Sequence, residues 1–263
     1  MTSEQTPRLI TLPISHYCEK ARWALDRADV RYREERHVQG IHSLMARRAG
    51  GGATVPVLVT GTGVVLGESH DILAWSDGLL PAGSRLFPEQ AVERAEVERL
   101  CRRLDEVLGP SGRRLIYVHM FSQRKLALDF NDVGVPTWED KLARGGWPLF
   151  ERLISRVLGI TPGCEVRDEA TVFGELDHVA QLLGDGRPYL CGERFTAADL
   201  TFAALSAPVV VPREYGTPLP QPELMTPHTA ALVSRAREHP AGRHALDMFA
   251  RHRRARATVA GTP

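Results

Sequence analysis

The chain has 263 residues, of which 43% are hydrophobic and 25% are charged, and its formal net charge at neutral pH is +1. This composition supports a sizeable core and excludes a disordered chain. The balanced charge gives no reason to expect nucleic acid or an anionic membrane as a partner. No apolar run approaches the roughly 18 residues that a membrane span needs, and the polar N-terminus lacks the apolar core of a secretory signal. The length predicts one large or two ordinary domains.

The four cysteines are widely spaced and form no C-x-x-C pair. That usage fits a reducing compartment better than a disulfide scaffold, so we expect a cytoplasmic protein. The ten histidines form no H-x-x-x-H motif and no Cys/His cluster, and we therefore expect no metal site.

The first 80 residues alternate between β-rich runs and a helical pattern. Tyr17, Ala21, Ala24, Leu25 and Ala28 recur at helical spacing. The Thr60–Gly63 run is a hairpin-turn signal. We predict strands at 9–12, 30–38, 55–59 and 64–66 and a short helix at 69–76.

The rest of the chain has mainly helical patterning, after a linker over about 80–88. Helices are predicted at 89–108, 113–130, 147–158, 169–183, 195–205 and 228–252, the last with a break near Pro240. The Pro-rich stretch 207–227 is not expected to form a regular helix. The domains predicted are 1–80, 89–250 and a basic tail, 251–263, which we expect to be solvated or frayed.

Ser15 stands where a strand leads into a helix. The first N–H groups of a helix lack intrahelical partners, and the helix dipole favours an anion such as a thiolate there. Ser is also among the best N-cap residues, so an anion site and a plain cap both remain open at Ser15.

Val55-Pro56 begins a strong apolar strand. Proline is restricted to strand starts and edges, and the bond is a candidate for the cis form. A cis bond would turn the Val55 backbone outward, free to pair with an extended peptide. An ordinary edge-strand proline is the alternative.

Glu68 and Ser69 stand at a second strand-to-helix junction. Ser69 can cap the helix, whose N-terminus can accept a carboxylate, and Glu68 can accept an ammonium group. The pair suits the two ends of an amino-acid zwitterion, although a loop residue followed by a cap would explain it as well.

These motifs, in this order, resemble those of the glutathione S-transferase superfamily. The run from Ser15 to Leu25 resembles the S-x-x-C/S helix start of serine-type, bacterial-like members. Thr54–Leu58 resembles the V-P strand, whose proline is cis, and Gly67–Ser69 resembles the E-S element that holds the γ-glutamyl group. Phe195–Leu200 is similar to the capping box of the helical domain, with Thr196 as cap and Asp199 as its reciprocal partner.

The resemblance implies an α+β/α two-domain fold, with an N-terminal thioredoxin-like βαβαββα domain followed by an all-α C-terminal domain. It implies a glutathione transferase in which Ser15 holds the glutathione thiolate, which attacks a small hydrophobic electrophile. The glutathione-binding residues would be Val55, Pro56, Glu68 and Ser69. Relatives often carry a lysine before the V-P strand for the glycine carboxylate. Here His42, Arg47 and Arg48 are the candidates.

By analogy the second-substrate pocket lies between Ser15 and the helical domain. The residues expected to line it are Tyr17, Arg113, Tyr117 and Met120, and for the last three core packing or solvation is the alternative. The segments 129–146 and 207–227 resemble insertions, and the latter either covers the site or is a plain surface connection. In redox relatives the attacking cysteine occupies the first position of the motif. That position is Ser15 here, so thiol–disulfide exchange is disfavoured, and Cys18, about one turn inside the helix, is expected to be a buried small side chain.

Two other functions remain open on this fold: a non-catalytic glutathione- or ligand-binding protein, and a glutathione-dependent thiol reductase. The resemblance also implies a detoxification role and a homodimer. The amphipathic helix from Glu89 is the candidate interface.

Overall fold

The computed structural model describes residues 5–253. Its N-terminal part forms a four-stranded mixed sheet with the strand order β2-β1-β3-β4, in which β2 is parallel to β1 and the other pairs are antiparallel. The elements are β1 (Arg8–Thr11), α1 (His16–Arg27), β2 (Arg33–Arg36), α2 (Ile41–Arg48), β3 (Val57–Val59), β4 (Val65–Leu66) and α3 (Ser69–Gly78). The predicted βαβαββα order is confirmed.

Both faces of this sheet are covered because side chains alternate along each central strand. Leu9 of β1 and Leu58 of β3 pack with Ile72 of α3 and with residues of α1. Their neighbours Ile10 and Val57 face the other side and pack with Ala46 of α2. The sheet is therefore a three-layer unit with α1 and α3 on one face and α2 on the other.

The remainder of the described chain is mostly helical, as predicted. Its helices are α4 (Ala91–Arg103), α5 (Gly109–Phe121), α6 (Arg124–Asn131), α7 (Thr137–Gly145), α8 (Trp147–Leu158), α9 (Cys164–Leu182), α10 (Ala197–Val210), α11 (Pro227–Glu238) and α12 (Pro240–His252). The predicted break near Pro240 is confirmed. No helix within residues 5–253 is long and apolar enough to cross a membrane.

The predicted capping box begins α10, the most deeply buried helix among residues 5–253. Asp199 Oδ2 accepts hydrogen bonds from the backbone N–H and the hydroxyl of Thr196, both at 2.8 Å. Asp199 Oδ1 accepts from the backbone N–H of Leu190 at 2.8 Å. One buried carboxylate therefore fixes both the helix start and the preceding loop.

The predicted break between the helices at 89–108 and 113–130 is wrong. A π-helical stretch, Leu104–Leu108, joins α4 to α5 without interruption. Pro110 has no N–H to donate to the preceding turn, and the wider π turn accommodates that loss within the helix. Gly109 is required by packing, because a Cβ there would overlap the Tyr17 ring. The second predicted helix also ends early, at Phe121.

The two segments that resemble insertions are partly helical. The first, 129–146, holds the end of α6 and all of α7. The second was expected to contain no regular helix, yet α10 runs on to Val210 through Pro208. Burial of this helix overrides the local cost of the proline, and the chain turns only at Val211, where φ is 46°.

The residue that follows α12 is buried, which contradicts the prediction of a solvated terminus at that point. Arg253 donates to Glu19 at 2.6 Å and to Asp26 at 2.8 Å, and both carboxylates belong to α1. The rest of the predicted basic tail, 254–263, lies outside the described residues. A second long-range pair joins Lys20 of α1 to Asp105 of the π stretch at 2.7 Å.

Candidate functional site

A cleft of about 630 Å³ opens between the N-terminal sheet unit and the helical region. Six of the predicted site residues line it: Ser15, His42, Val55, Arg113, Tyr117 and Met120. The other four, Tyr17, Pro56, Glu68 and Ser69, are not part of its lining.

Ser15 occupies the N-cap position of α1. Its Oγ accepts a hydrogen bond from the backbone N–H of Cys18 at 3.4 Å. A serine hydroxyl has two lone pairs and one O–H, so a cap that uses one lone pair leaves the O–H able to donate, either to the Cys18 sulfur or into the cleft. The cap role is therefore present, and it is compatible with an anion beside Ser15 at the helix N-terminus.

The peptide bond between Val55 and Pro56 is cis, as the resemblance implied. Val55 lies before β3 and lines the cleft, while Pro56 is buried behind it.

The start of α3 is a second helix N-terminus, whose first-turn N–H groups can accept an anion. The structure corrects one detail: the cap position falls on Glu68, so Ser69 is the first residue of the helix rather than its cap. Ser69 is buried and Glu68 is exposed. Partial burial and the nearby carboxylate of Asp71 raise the pKa of Glu68. Free first-turn N–H groups beside a carboxylate still suit a zwitterion.

His42 and Arg47 both line the cleft from α2, but they differ in whether their side-chain nitrogens already have hydrogen-bond partners. His42 Nδ1 lies 3.1 Å from the Gly40 N–H, and its Nε2 lies 3.3 Å from Ser43 Oγ. Burial lowers the pKa of His42. Arg47 is exposed, and its guanidinium makes no hydrogen bond or ion pair within residues 5–253. Arg47 is thus the better placed of the two to bind a carboxylate.

Sequence reasoning missed His16 as a residue of the site. It is 2% exposed, lines the cleft, and its Nε2 has no hydrogen-bond partner in the described part of the chain. Burial lowers the pKa of His16 to about 3, and the positive charge of Arg113 acts in the same direction. His16 is therefore neutral at physiological pH and brings one unsatisfied nitrogen to the cleft.

Arg113, Tyr117 and Met120 lie along one side of α5 and form the wall opposite α1. The Arg113 guanidinium lies 5.9 Å from the centre of the Tyr17 ring. The Tyr117 hydroxyl accepts a hydrogen bond from the Gln39 side-chain amide, and burial raises the pKa of Tyr117 to about 12. Arg113, Tyr117 and Met120 therefore lie in the cleft wall, rather than wholly in the core or in solvent.

Tyr17 is directed away from this wall. Its hydroxyl donates to the backbone carbonyl of Asp105 at 2.7 Å, and its ring packs on Gly109. The helical spacing of Tyr17 was correct, but adjacent positions on α1 face different neighbours. Tyr17 therefore joins α1 to the helical region and supports Arg113 from behind.

Helix α8 forms an apolar wall that the sequence did not reveal. Trp147 packs edge-on against Phe121 of α5, with ring centres 6.3 Å apart. Leu153, Ile154 and Leu158 line the cleft from the same helix. The periodicity of α8 predicted a helix but not its partner, which depends on a long-range contact.

The Pro-rich stretch after α10 lines the cleft rather than forming a plain surface connection. Tyr215, Leu219 and Met225 all contribute to the lining. The Tyr215 hydroxyl donates to the carbonyl of Ile14, and the Thr217 hydroxyl donates to the carbonyl of Pro13, each at 3.0 Å.

Cys18 is fully buried, one turn inside α1. Burial raises the pKa of the Cys18 thiol, an effect that Arg22 and the hydrogen bond with Ser15 only partly oppose. A reactive thiolate is favoured by the reverse conditions of exposure and lowered pKa. Within residues 5–253, no group of three or more His, Cys, Asp or Glu side chains is placed to hold a metal ion.

Comparisons with known proteins agree with this architecture. Residues 9–81 match the family model of the glutathione S-transferase N-terminal domain. No curated protein matches the chain in sequence. Among solved structures, the fold is similar to that of a glutathione S-transferase from Xanthobacter autotrophicus py2, at 18% identity and a TM-score of 0.61, over 96% of this chain and 97% of that one.

Two further structures have the same fold. A glutathione S-transferase from Pseudomonas fluorescens [Pf-5] is 16% identical, with a TM-score of 0.59 over 97% of this chain and 100% of that one. One from Methylobacillus flagellatus kt with glutathione bound is 14% identical, with a TM-score of 0.53 over 91% of this chain and 98% of that one. Residues 9–81 thus match a glutathione S-transferase N-terminal domain, and the chain as a whole has the fold of these solved glutathione S-transferases.

Proposed function

We propose that this chain is a glutathione transferase that joins the glutathione sulfur to a small hydrophobic electrophile. One observation carries the proposal. Ser15, at the N-terminus of α1, lies in the same cleft as the apolar walls of α5 and α8. A thiolate held at Ser15 would therefore face a pocket able to take an apolar second substrate.

In the proposed complex glutathione lies along the edge of the N-terminal domain. Its γ-glutamyl end binds the first turn of α3, with Glu68 facing the ammonium group and Ser69 the carboxylate. Val55 pairs with the cysteinyl part, and Pro56 supports that strand. Arg47 takes the glycine carboxylate, with His42 beside it as a packing residue.

Ser15 would stabilise the thiolate by donating its O–H to the glutathione sulfur, with help from the N-terminus of α1. With an enone as electrophile, the sulfur bonds to the β-carbon and the alkene electron pair moves to the carbonyl oxygen as an enolate. The enolate then takes a proton from solvent at its α-carbon, which balances the proton that the thiol released to solvent. Catalysis then consists of positioning and thiolate stabilisation.

The test is to compare Ser15→Ala with Cys18→Ala in glutathione conjugation of 1-chloro-2,4-dinitrobenzene and of 4-phenylbut-3-en-2-one. Loss of one donor to a developing or held anion costs on the order of 100- to 1,000-fold in kcat, so we expect Ser15→Ala to collapse turnover. Cys18→Ala is expected to retain it. Full activity in Ser15→Ala would contradict the proposal.

The same variants separate the two other functions. A non-catalytic binding protein would bind glutathione in titration calorimetry yet give no product with either electrophile. A thiol reductase working through Cys18 would form a mixed disulfide with glutathione and lose activity in Cys18→Ala. Burial and the raised pKa of Cys18 disfavour the reductase.

We extend the proposal to a cytoplasmic homodimer that detoxifies electrophiles, with domains at 1–80 and 89–250. The exposed side of α4 supports an interface, since Val92 is 77% exposed on that amphipathic helix. Sedimentation at micromolar concentration tests the dimer, and a monomer would contradict it.

A further inference from the structure

The cleft has an unbalanced set of charges. Its lining contains two arginines, Arg47 and Arg113, but no aspartate or glutamate. Within residues 5–253, Arg113 forms no ion pair, and its Nε is buried without a hydrogen-bond partner. A guanidinium has five N–H donors in a fixed fork that matches a carboxylate, and a buried N–H without a partner is costly. The site therefore favours an anion at Arg113.

Glutathione, bound as proposed, does not supply that anion. Its glycine carboxylate would lie at Arg47 on α2, and its γ-glutamyl carboxylate at the start of α3, outside the cleft lining. Arg113 is on α5, in the wall that faces the second substrate. The sulfur at Ser15 remains the one other negative group of glutathione, and the experiment below separates it from a substrate anion.

Along α5 the cleft is positively charged at one end and apolar at the other. At one end Arg113 lies above the Tyr17 ring and raises the local positive potential enough to help lower the pKa of buried His16. At the other end Phe121 packs against Trp147 of α8. Eight residues of helix separate Arg113 from Phe121, which corresponds to about 12 Å. A ligand that matches both ends is elongated, with a charged head and an apolar body.

The apolar end is also open. Leu153 and Val157 line the cleft from α8 while remaining 47% and 74% exposed. Exposed aliphatic side chains at a cleft mouth indicate a surface that an apolar ligand would cover. The polar end, by contrast, has His16 Nε2 without a partner although that residue is almost fully buried.

We propose that the second substrate is an amphiphilic carboxylate, whose carboxylate binds Arg113 and whose apolar body lies toward α8. This inference rests on the proposed function and names its substrate class. The electrophilic carbon then lies near the carboxylate, at the Ser15 end of the cleft, and an aryl or alkyl group extends to Trp147.

The test uses a matched pair of electrophiles: 4-(4-biphenylyl)-4-oxobut-2-enoate and its methyl ester. Glutathione conjugation of each is measured as kcat/KM divided by the uncatalysed rate, which removes their different intrinsic reactivity. A charged hydrogen-bonded pair corresponds to a preference of roughly 10- to 100-fold, so we expect wild type to favour the acid by that factor. Arg113→Met should abolish the acid-to-ester preference, and Arg113→Lys should keep part of it.

Arg102→Met is the matched control, since Arg102 is exposed on α4, earlier on the same continuous helix. It should keep the wild-type preference. The thiol pKa of bound glutathione is measured in parallel by thiolate absorbance. If Arg113→Met shifts that pKa and leaves the acid-to-ester ratio intact, Arg113 acts on the sulfur and the inference is overturned.

A binding measurement keeps this inference separate from the proposed function. The saturated 4-(4-biphenylyl)-4-oxobutanoate and its methyl ester cannot react, and calorimetry on the glutathione-saturated protein compares their affinities. Acid-selective binding that Arg113→Met removes supports the anion site even if no electrophile is turned over. Equal affinity for acid and ester overturns the inference, whether or not conjugation occurs.

Discussion

Arg253 and Glu19 form an ion pair of 2.6 Å in which the two side chains are 1% and 0% exposed. The pair joins the residue after the last helix to the first helix of the sheet unit. Gly216 of the Pro-rich segment packs directly on it, and a Cβ at that position would meet both charged groups. Three distant parts of the chain therefore meet at one buried charge pair.

Arg253→Met should be strongly destabilising. Removal of Arg253 leaves Asp26 buried without its cation and leaves Glu19 with only the longer pair to Arg22 at 3.6 Å, and breaking a buried ion pair in this way costs about 3–5 kcal/mol. Urea unfolding measures the change. Arg251→Met is the control, because its ion pair with Asp247 is solvent-exposed and such pairs contribute little to stability. Equal destabilisation by the two variants would contradict the prediction.

Arg47→Ser and Arg48→Ser form a second matched pair. Both arginines are exposed at the end of α2, but Arg47 lines the cleft and Arg48 is not in its lining. A carboxylate contact at a solvated site is worth about 1 kcal/mol, so KM for glutathione should rise roughly five-fold in Arg47→Ser. Arg48→Ser should leave that KM unchanged, and the reverse pattern would assign the contact to Arg48.

Glu139 anchors α7 to the sheet unit beside the cleft. Its carboxylate accepts from the Val38 backbone N–H at 3.0 Å and lies 2.8 Å from His37 Nδ1, and it is 1% exposed. Glu139→Ala leaves those groups buried without partners, at a cost of about 3 kcal/mol. We expect faster amide hydrogen exchange across α7 and α8. Lys141→Ala, on the exposed side of α7, should exchange like wild type, and unchanged exchange in Glu139→Ala would refute the anchor.

Asp132 predicts a pH dependence of stability. Burial, together with the carboxylate of Asp140, raises the pKa of Asp132 to about 7. The folded protein then keeps a proton that the unfolded chain releases at its ordinary, lower pKa. Stability from this group is present in acid and falls as the pH rises from about 4 through about 7.

Asp132→Asn removes that titration, so it should gain stability relative to wild type above pH 7. The change in urea midpoint between pH 5 and pH 8 measures it. Glu93→Gln, at an exposed position of α4, should follow the wild-type curve. A difference between wild type and Asp132→Asn that is the same at both pH values would contradict the prediction.

The parts of the fold that sequence revealed are those set by local rules. The helix start at Ser15, the proline at position 56 and the Thr196–Asp199 capping box each depend on residues a few positions apart. Strand and helix order followed from periodicity for the same reason.

The parts that sequence did not reveal depend on distant partners. Gly109 and Pro110 read locally as a helix break, yet packing on Tyr17 and the π turn keep the helix continuous. His16 lines the cleft because the fold buries it there, and only the fold separates the candidate Arg47, which lines the cleft, from Arg48, which does not. Arg253 was predicted to be solvated, because no neighbouring residue in the sequence indicates that it pairs with Glu19.

The hydroxyls of Tyr215 and Thr217 hold the two carbonyls that immediately precede Ser15. The position of the start of α1 is thus set in part by a segment about 200 residues later in the chain. In any exchange of domains with a related protein, the segment that follows α10 must travel with the N-terminal half. A chimera joined at the interdomain linker would keep the serine motif but lose the two hydrogen bonds that position it.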